Sequence, residues 1–416
     1  MLGVAAARCL DGDTFLVGRD TRESGPALQR AFAEGCAAEG VDVIDLGVVP
    51  TPAVAWISKA DGLPAAMLSA SHNPWEDNGV KLFGAGGKKL TDAEQDSIQA
   101  LLDAGIAVEP AEPRVQPGSI DRYLDAVVGS IDGRNFSHTK VVLDCANGAA
   151  SATAGRVFEL LGADVTVLAA QPDGRNINAG VGSTHPEFLA AAVVEHGASV
   201  GFAFDGDADR VVAVGADGSV IDGDRFLAMG AIDRRDHGLL PDDTVVITVM
   251  ANLGFRVAMK AENIAMVETP VGDRHVLEAL DAGGFTLGGE QSGHIIHRDL
   301  ATTGDGVLSA VQLLDAAVRR GVDVGTWADS VMTRYPQVLE NVRIAEKVAN
   351  PAELLADAIA AEEALLGDDG RVLIRASGTE PLIRVMVEAA EADVAAESAA
   401  RLVRQVELMT TPPAAD

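Results

Sequence analysis

The sequence predicts an α/β protein of three similar mixed α/β domains and a smaller C-terminal α+β domain around a central cleft. Three observations carry this. Short apolar runs alternate with helix-length amphipathic stretches from Thr14 onward, and the alternation restarts near Lys140 and Thr244. Past residue 338 the rhythm changes, with two strands following each other between helices. Hydrophobic residues make up 48% of the chain but aromatics only 4%, so packing rests on Ala, Val, Leu and Ile, as in layered α/β cores. A chain of 416 residues also exceeds one core of ordinary size.

In the first domain, 1–118, apolar runs predict strands over 15–17, 41–46 and 65–68, and helical periodicity covers 25–39 and 91–105. The segment 109–118 contains Pro110, Pro113 and Pro117 with few periodic apolar residues, which predicts a linker. The second domain, 119–236, has strands over 141–145, 164–168 and 200–204 and helices over 151–162 and 186–196. In the third, 237–338, a strand over 244–250 precedes a helix near Phe255, a strand over 265–268 and a helix over 306–321. The last, 339–416, has strands over 342–345, 372–375 and 383–388 and helices over 351–366 and 393–408. No sequence repeat of fixed period underlies the rhythm, so the chain is not a solenoid.

Composition excludes several classes of function. With 62 acidic and 32 basic residues the formal charge is −30, which repels nucleic acid and anionic membrane surfaces. No apolar run approaches the roughly 20 residues of a membrane helix, and the N-terminus lacks the order of a signal peptide, so a cytoplasmic protein is expected. Cys9, Cys36 and Cys145 lie far apart and form neither a zinc motif nor a disulfide framework. The acidic, lysine-poor composition resembles that of proteins from salt-accumulating organisms. Because molar salt shortens the Debye length to about 3 Å, it screens this self-repulsion. The melting temperature is therefore expected to rise between low and molar salt, and a flat profile would contradict the expectation.

Four loops carry chemistry. Ser69-Ala70-Ser71-His72-Asn73-Pro74 follows the run ending at Leu68, placing Ser71 at a strand's carboxyl end, where α/β sheets hold ligands and backbone N–H groups can face an anion. Taken alone, the hexapeptide fits a strand-ending turn better, and the other loops must decide. Asp205-Gly206-Asp207-Ala208-Asp209-Arg210 joins two apolar strands, and its three carboxylates suit a hard cation such as Mg²⁺. An EF-hand is excluded, since its sixth and twelfth positions would be Arg210 and Ala216. Arg210 beside such a loop suits phosphate oxygens.

Gly288-Gly289-Glu290-Gln291-Ser292-Gly293-His294 offers an acceptor and a hydroxyl at Glu290 and Ser292 for sugar hydroxyls, and an imidazole at His294. Arg375-Ala376-Ser377-Gly378-Thr379-Glu380-Pro381, followed by Arg384, has the parts of an anion clamp. Each also fits an ordinary loop. Two further patches, Gly18-Arg19-Asp20-Thr21-Arg22 and Asn78-Gly79-Val80-Lys81, follow the first strand and the Ser71 loop.

In this order and at these separations, the four loops resemble the α-D-phosphohexomutase family across almost the whole chain. The loop around Glu290, the Thr303-Gly304-Asp305-Gly306 segment and Gly272-Asp273-Arg274 resemble members acting on glucosamine phosphate. The resemblance implies interconversion of 6-phospho and 1-phospho hexoses through a phosphoserine at Ser71 and a bisphosphate sugar, with a hexose bisphosphate as activator. It implies one Mg²⁺ per subunit, held by Asp205, Asp207 and Asp209 with the phosphate on Ser71. Glu290 and Ser292 would read sugar hydroxyls. Arg375, Ser377, Gly378, Thr379 and Arg384 would hold the phosphate that is not transferred, joined by Arg19. Lys81, His294 and Arg210 would support charge or proton transfer at the reacting oxygen. The expected partner is a small sugar phosphate, and the protein a monomer or homodimer.

Family members also open with an FGTxGxRG-like segment ahead of the first helix. Here Met1 to Leu10 already resembles that helix, which suggests a start placed too far downstream. Rival readings are a phosphomannomutase or phosphoglucomutase of the same family and an aspartate-nucleophile phosphatase, whose motif lacks an Asp at the place of Asp209. A sugar-phosphate binding protein without activity is the rival from outside catalysis.

Overall fold

Strand Thr14–Arg19 lies between Asp42–Val48 and Ala65–Leu68, both parallel to it, and Val80–Gly84 pairs antiparallel with Ala65–Leu68. In this computed structural model, which describes residues 1–109, 111–377 and 380–410, that order recurs twice. Lys140–Asp144 sits between parallel Asp164–Leu168 and Val200–Phe204, with Val211–Gly215 antiparallel beyond. Thr244–Thr248 likewise sits between Ala265–Thr269 and Leu287–Gly289, with Ile295–His297 beyond. Interior strands are largely apolar because helices cover both faces: Ala65–Leu68, Val200–Phe204 and Thr244–Thr248 are buried at every position. The fourth sheet is antiparallel, with Leu382–Ala389 between Gln337–Arg343 and Gly370–Ala376, and helix Ala392–Thr410 packs on it. The expected class, three similar mixed units and a smaller α+β unit, stands.

Packing divides the chain into two bodies. One comprises Met1–Met250 with Glu262–Val331; the other joins Ala251–Ala261 to the chain from Met332 onward. In the second body, Glu388 is wholly buried and accepts hydrogen bonds from Asn252 Nδ2 (3.0 Å), the Leu253 N–H (3.0 Å), Arg371 Nε (3.0 Å) and Gln337 Nε2 (3.2 Å). One carboxylate thereby fastens helix Leu253–Ala261 to the antiparallel sheet.

Several elements differ from the sequence pattern. Within the expected linker, Val115–Pro117 forms an edge strand on Asp42–Val48, where Pro117 is tolerated because an edge needs fewer donors; Pro110 lies outside the described residues. The strand expected over 342–345 is Gln337–Arg343, an edge strand whose exposed residues hide its period. The helix over 351–366 is split into Pro351–Leu354 and Ala356–Leu366, and that over 151–162 shortens to Ala154–Leu160 after a 3₁₀ turn. Helix Thr51–Asp61 has no sequence counterpart because most of its residues are buried, which erases an amphipathic signal. Helices Asp121–Gly129, Gly223–Asp236, Asp273–Gly283 and Val324–Val331 are further elements that the sequence pattern does not name. Cys36 and Cys145 are buried and Cys9 half-buried. Among the described residues, no helix is long and apolar enough to cross a membrane.

His297, at the end of the third sheet, is buried with neither ring nitrogen hydrogen-bonded, and burial, aided by Arg234, pushes its pKa down from 6.5 to about 3. As pH falls below 6.5 the unfolded chain takes up a proton that the folded chain refuses. Its contribution to stability is therefore complete above pH 6.5 and is lost progressively toward pH 3, at about 1.4 kcal/mol per pH unit. Asp305 acts oppositely: burial raises it to about 6, so its contribution is lost as pH rises from 3.8 to 6. Relative to wild type, His297→Leu is expected to gain melting temperature progressively as pH falls from 6 to 4; an identical pH dependence in the two proteins would contradict this.

Candidate active site

The repeated sheet order sets three of the four loops in equivalent places. Each joins a unit's last parallel strand to its antiparallel neighbour: 69–79 in the first unit, 205–210 in the second, 290–294 in the third. Each therefore emerges from a strand's carboxyl end, the ligand-binding edge of such sheets.

Ser71 adopts a left-handed backbone, φ 52°, uncommon for a residue other than Gly, Asn or Asp. Its hydroxyl donates to Asp205 Oδ2 at 2.5 Å and lies 3.3 Å from His72 Nδ1. The two loops pack back to back, since a Cβ on Gly206 would strike the Ser71 carbonyl. Asp205, Asp207 and Asp209 are all buried, with one carboxylate oxygen of each within 4.8 Å of the others. Asp207 Oδ2 is occupied by Thr51 Oγ1 and Lys81 Nζ, both at 2.6 Å, and Asp209 Oδ2 by Lys81 Nζ at 3.1 Å. The remaining oxygens, Asp207 Oδ1 and Asp209 Oδ1, are buried without a hydrogen-bond partner among the described residues. Buried anionic oxygens with spare lone pairs fit a hard divalent cation.

The electrostatics follow from this crowding. Burial, then the charges of Asp209 and Asp207, push Asp205 well above the usual carboxylate range. Burial would also raise Asp209, but Lys81 and His294 hold it well below that range. For Lys81 burial opposes the charge, and Asp207 and Asp209 overcome it, so the ammonium stays protonated. Arg210 stands beside the loop, its Nε 3.9 Å from Asp209 Oδ1 and buried without a hydrogen-bond partner among the described residues. That leaves a guanidinium edge for an anion.

The third loop reaches the same carboxylates. His294 is buried, its Nδ1 3.5 Å from Asp209 Oδ1, while its Nε2 accepts the Gly304 N–H at 3.2 Å and lies 3.6 Å from Asp273 Oδ2. Asp273 in turn pairs with Lys89 of the first unit. Glu290 Oε1 accepts the Gly272 N–H at 3.0 Å, and Gln291 Nε2 donates to Asp224 Oδ2 at 3.0 Å, so the loop is held rigidly while Ser292 stays exposed. Gly293, at φ 88°, is required where the loop crosses the Val211 backbone, which leaves no room for a Cβ.

The Arg375 loop belongs to the second body. Arg375 and Arg384 face each other directly across two antiparallel strands, and among the described residues neither has a carboxylate partner. Like charges so placed are destabilising unless an anion sits between them. Ser377 is buried and its hydroxyl accepts the Glu380 N–H at 3.3 Å; Gly378 and Thr379 lie outside the described residues.

Arg19, expected to join the substrate's phosphate, donates to Gln29 on helix Gly25–Ala38 (2.9 Å). Arg22 of the same turn reaches the Ser71 loop instead. Arg22 lies in the patch singled out after the first strand, whereas Thr51 and Asn178, which contact the site from elsewhere in the chain, stand in no motif. For Thr51 the Thr51-Pro52 pair, a helix-opening signal, is the available clue.

A serine hydroxyl against a buried acidic loop, both at the carboxyl ends of α/β strands, defines the kind of enzyme that handles phosphate esters. Four family descriptions match in order: Phosphoglucomutase/phosphomannomutase alpha/beta/alpha domain I over residues 1–108, domain II over 121–218, domain III over 222–335, and the C-terminal domain over 339–405. The chain belongs to this phosphohexomutase family and is a phosphosugar mutase. It is 50% identical over 394 residues to a phosphoglucosamine mutase of Frankia alni, covering 93% of this chain and 86% of that one. It is 51% identical over 393 residues to that of Thermobifida fusca, covering 93% and 87%. Its fold matches the crystal structure of a phosphoglucomutase/phosphomannomutase family protein from Burkholderia thailandensis with a TM-score of 0.82 at 27% identity, over 100% of this chain and 93% of that one.

Proposed function

We propose that the enzyme interconverts glucosamine 6-phosphate and glucosamine 1-phosphate in the cytoplasm, with Ser71 as the phosphate carrier. The observation that carries this is the Ser71 hydroxyl 2.5 Å from the metal-fitting loop, in a chain half identical to phosphoglucosamine mutases. The chain is read as four working domains, 1–118, 119–236, 237–338 and 339–416.

Asp205, Asp207, Asp209 and the phosphate on Ser71 would hold Mg²⁺, which when bound neutralises charge on the phosphoryl oxygens. The sugar's free hydroxyl attacks phosphorus; its new P–O bond forms as the bond to Ser71 Oγ breaks, and the hydroxyl proton is passed on to the serine oxygen. A loose transition state asks for positioning and charge support more than for a strong base. Lys81, kept protonated by Asp207 and Asp209, supplies charge and is not the proton acceptor; Arg210 offers its free edge to the same oxygens. Glu290 and Ser292 read the sugar, and Arg375, Arg384 and Ser377, with Gly378 and Thr379, hold the other phosphate. After the bisphosphate turns over, the second phosphate returns to Ser71. A hexose bisphosphate then serves as activator by rephosphorylating any serine lost to hydrolysis.

The sugar is tested by assaying glucosamine, glucose and mannose 6-phosphates side by side with Mg²⁺ and glucose 1,6-bisphosphate. The highest kcat/KM is expected for the amino sugar. Equal or higher values for mannose or glucose would overturn that assignment and leave the mutase chemistry intact.

A further inference from the structure

The backbone around Ser71 is pinned on both sides, and one guanidinium from outside its loop does most of it. Arg22 is 1% exposed and uses all five of its donors. Nε donates to Asp20 Oδ2 (2.8 Å), Nη2 to the carbonyls of Ser71 and Asn73 (2.9 Å each), and Nη1 to those of Asp77 (2.9 Å) and Pro74. Asn178 Nδ2, from the loop after Asp164–Leu168, donates to the same Ser71 and Asn73 carbonyls at 2.9 and 3.1 Å. On the other side, the Ser71 N–H donates to Ser69 Oγ (2.9 Å), whose hydroxyl donates to Asp20 Oδ2 (2.7 Å). Asp20 Oδ2 thus orients both halves of the clamp.

The clamp explains a conformation that is otherwise costly. A serine in the left-handed region costs on the order of 1 kcal/mol or more and persists only where its surroundings over-determine it. Fixing the N–H sets φ and fixing the carbonyl sets ψ, so the direction of the Cα–Cβ bond, and with it Oγ, follows. Turning four carbonyls toward Arg22 also keeps their negative ends off a phosphorylated Oγ. A lysine would bring three donors and no planar fork.

We propose that Arg22, oriented by Asp20 and seconded by Asn178, is a positioning residue for phosphoryl transfer that aims Ser71 Oγ at the acidic loop. This rests on Ser71 being the phosphate carrier. Misplacement by about 1 Å costs on the order of 10²-fold in rate, so a loop that stays folded but is no longer aimed loses kcat with little change in KM.

The test compares wild type, Arg22→Lys and Asn178→Ser in the full-length enzyme, each checked for folding by thermal melting. Sugar-phosphate turnover is measured, together with the rate at which Ser71 gains phosphate from glucose 1,6-bisphosphate, by intact mass. A kcat reduced 30-fold or more for Arg22→Lys and 5-fold or more for Asn178→Ser, with KM within threefold and slowed phosphate gain, supports the proposal. Folded variants with kcat and phosphate gain within twofold of wild type overturn it, as does a KM rise at unchanged kcat. If Arg22→Lys fails to fold, Asn178→Ser decides by the same thresholds. A wild type that never carries exchangeable phosphate on Ser71 would bring down the carrier assignment as well, which separates the two failures.

Discussion

Ser71→Ala is expected to lower kcat on the order of 10⁴-fold or more while leaving the fold intact. The hydroxyl is the only part of the side chain that the substitution removes, and its contacts are Asp205 Oδ2 at 2.5 Å and His72 Nδ1 at 3.3 Å. If phosphate travels through this oxygen, no neighbour substitutes: Ser69 Oγ is committed between Asp20 and the Ser71 N–H. Loss of a covalent carrier removes the two-step route as a whole, worth about 5 kcal/mol of barrier for 10⁴ in rate. Steady-state turnover and intact mass with added glucose 1,6-bisphosphate check both halves. A variant retaining a tenth of wild-type turnover, or still gaining phosphate at the loop, would refute the carrier role.

The second large effect is expected at Asp207. Its Oδ2 is saturated by Thr51 and Lys81 while Oδ1 is buried and unbonded among the described residues, so the oxygen available to a cation is well defined. Asp207→Asn keeps the shape and removes the charge. Turnover is expected to fall at least about 10³-fold at millimolar Mg²⁺. Stability gives a readout independent of catalysis, because a ligand bound only by the folded state stabilises by about 2.7 kcal/mol at a hundred times its Kd. Wild-type enzyme is expected to melt at higher temperature as Mg²⁺ is added, and Asp207→Asn to lose that shift. An equal shift in both proteins would remove Asp207 from the site.

Much of the first body was legible because its central strands are short, uniformly apolar and bounded by polar loops. The segments 65–68 and 200–204 need no tertiary information to be seen, and the motifs at Ser71 and Asp205 stand at their ends. Elements buried on all sides, such as Thr51–Asp61, or exposed at an edge, such as Val115–Pro117, lack the periodicity on which such recognition depends.

The sequence by itself determined the class of fold, the family and the residues able to do the chemistry, because these depend on local pattern and residue type. Only the tertiary structure decided how they are used. Thr51 meets Asp207 across 156 positions, Asn178 meets Ser71 across 107, and Arg22 rather than Arg19 reaches the serine loop. The physical reason is that hydrogen-bonding capacity belongs to a side chain wherever it stands. Its target is set by strand order, by which face of a strand a residue leaves, and by which carbonyls the fold leaves without a donor.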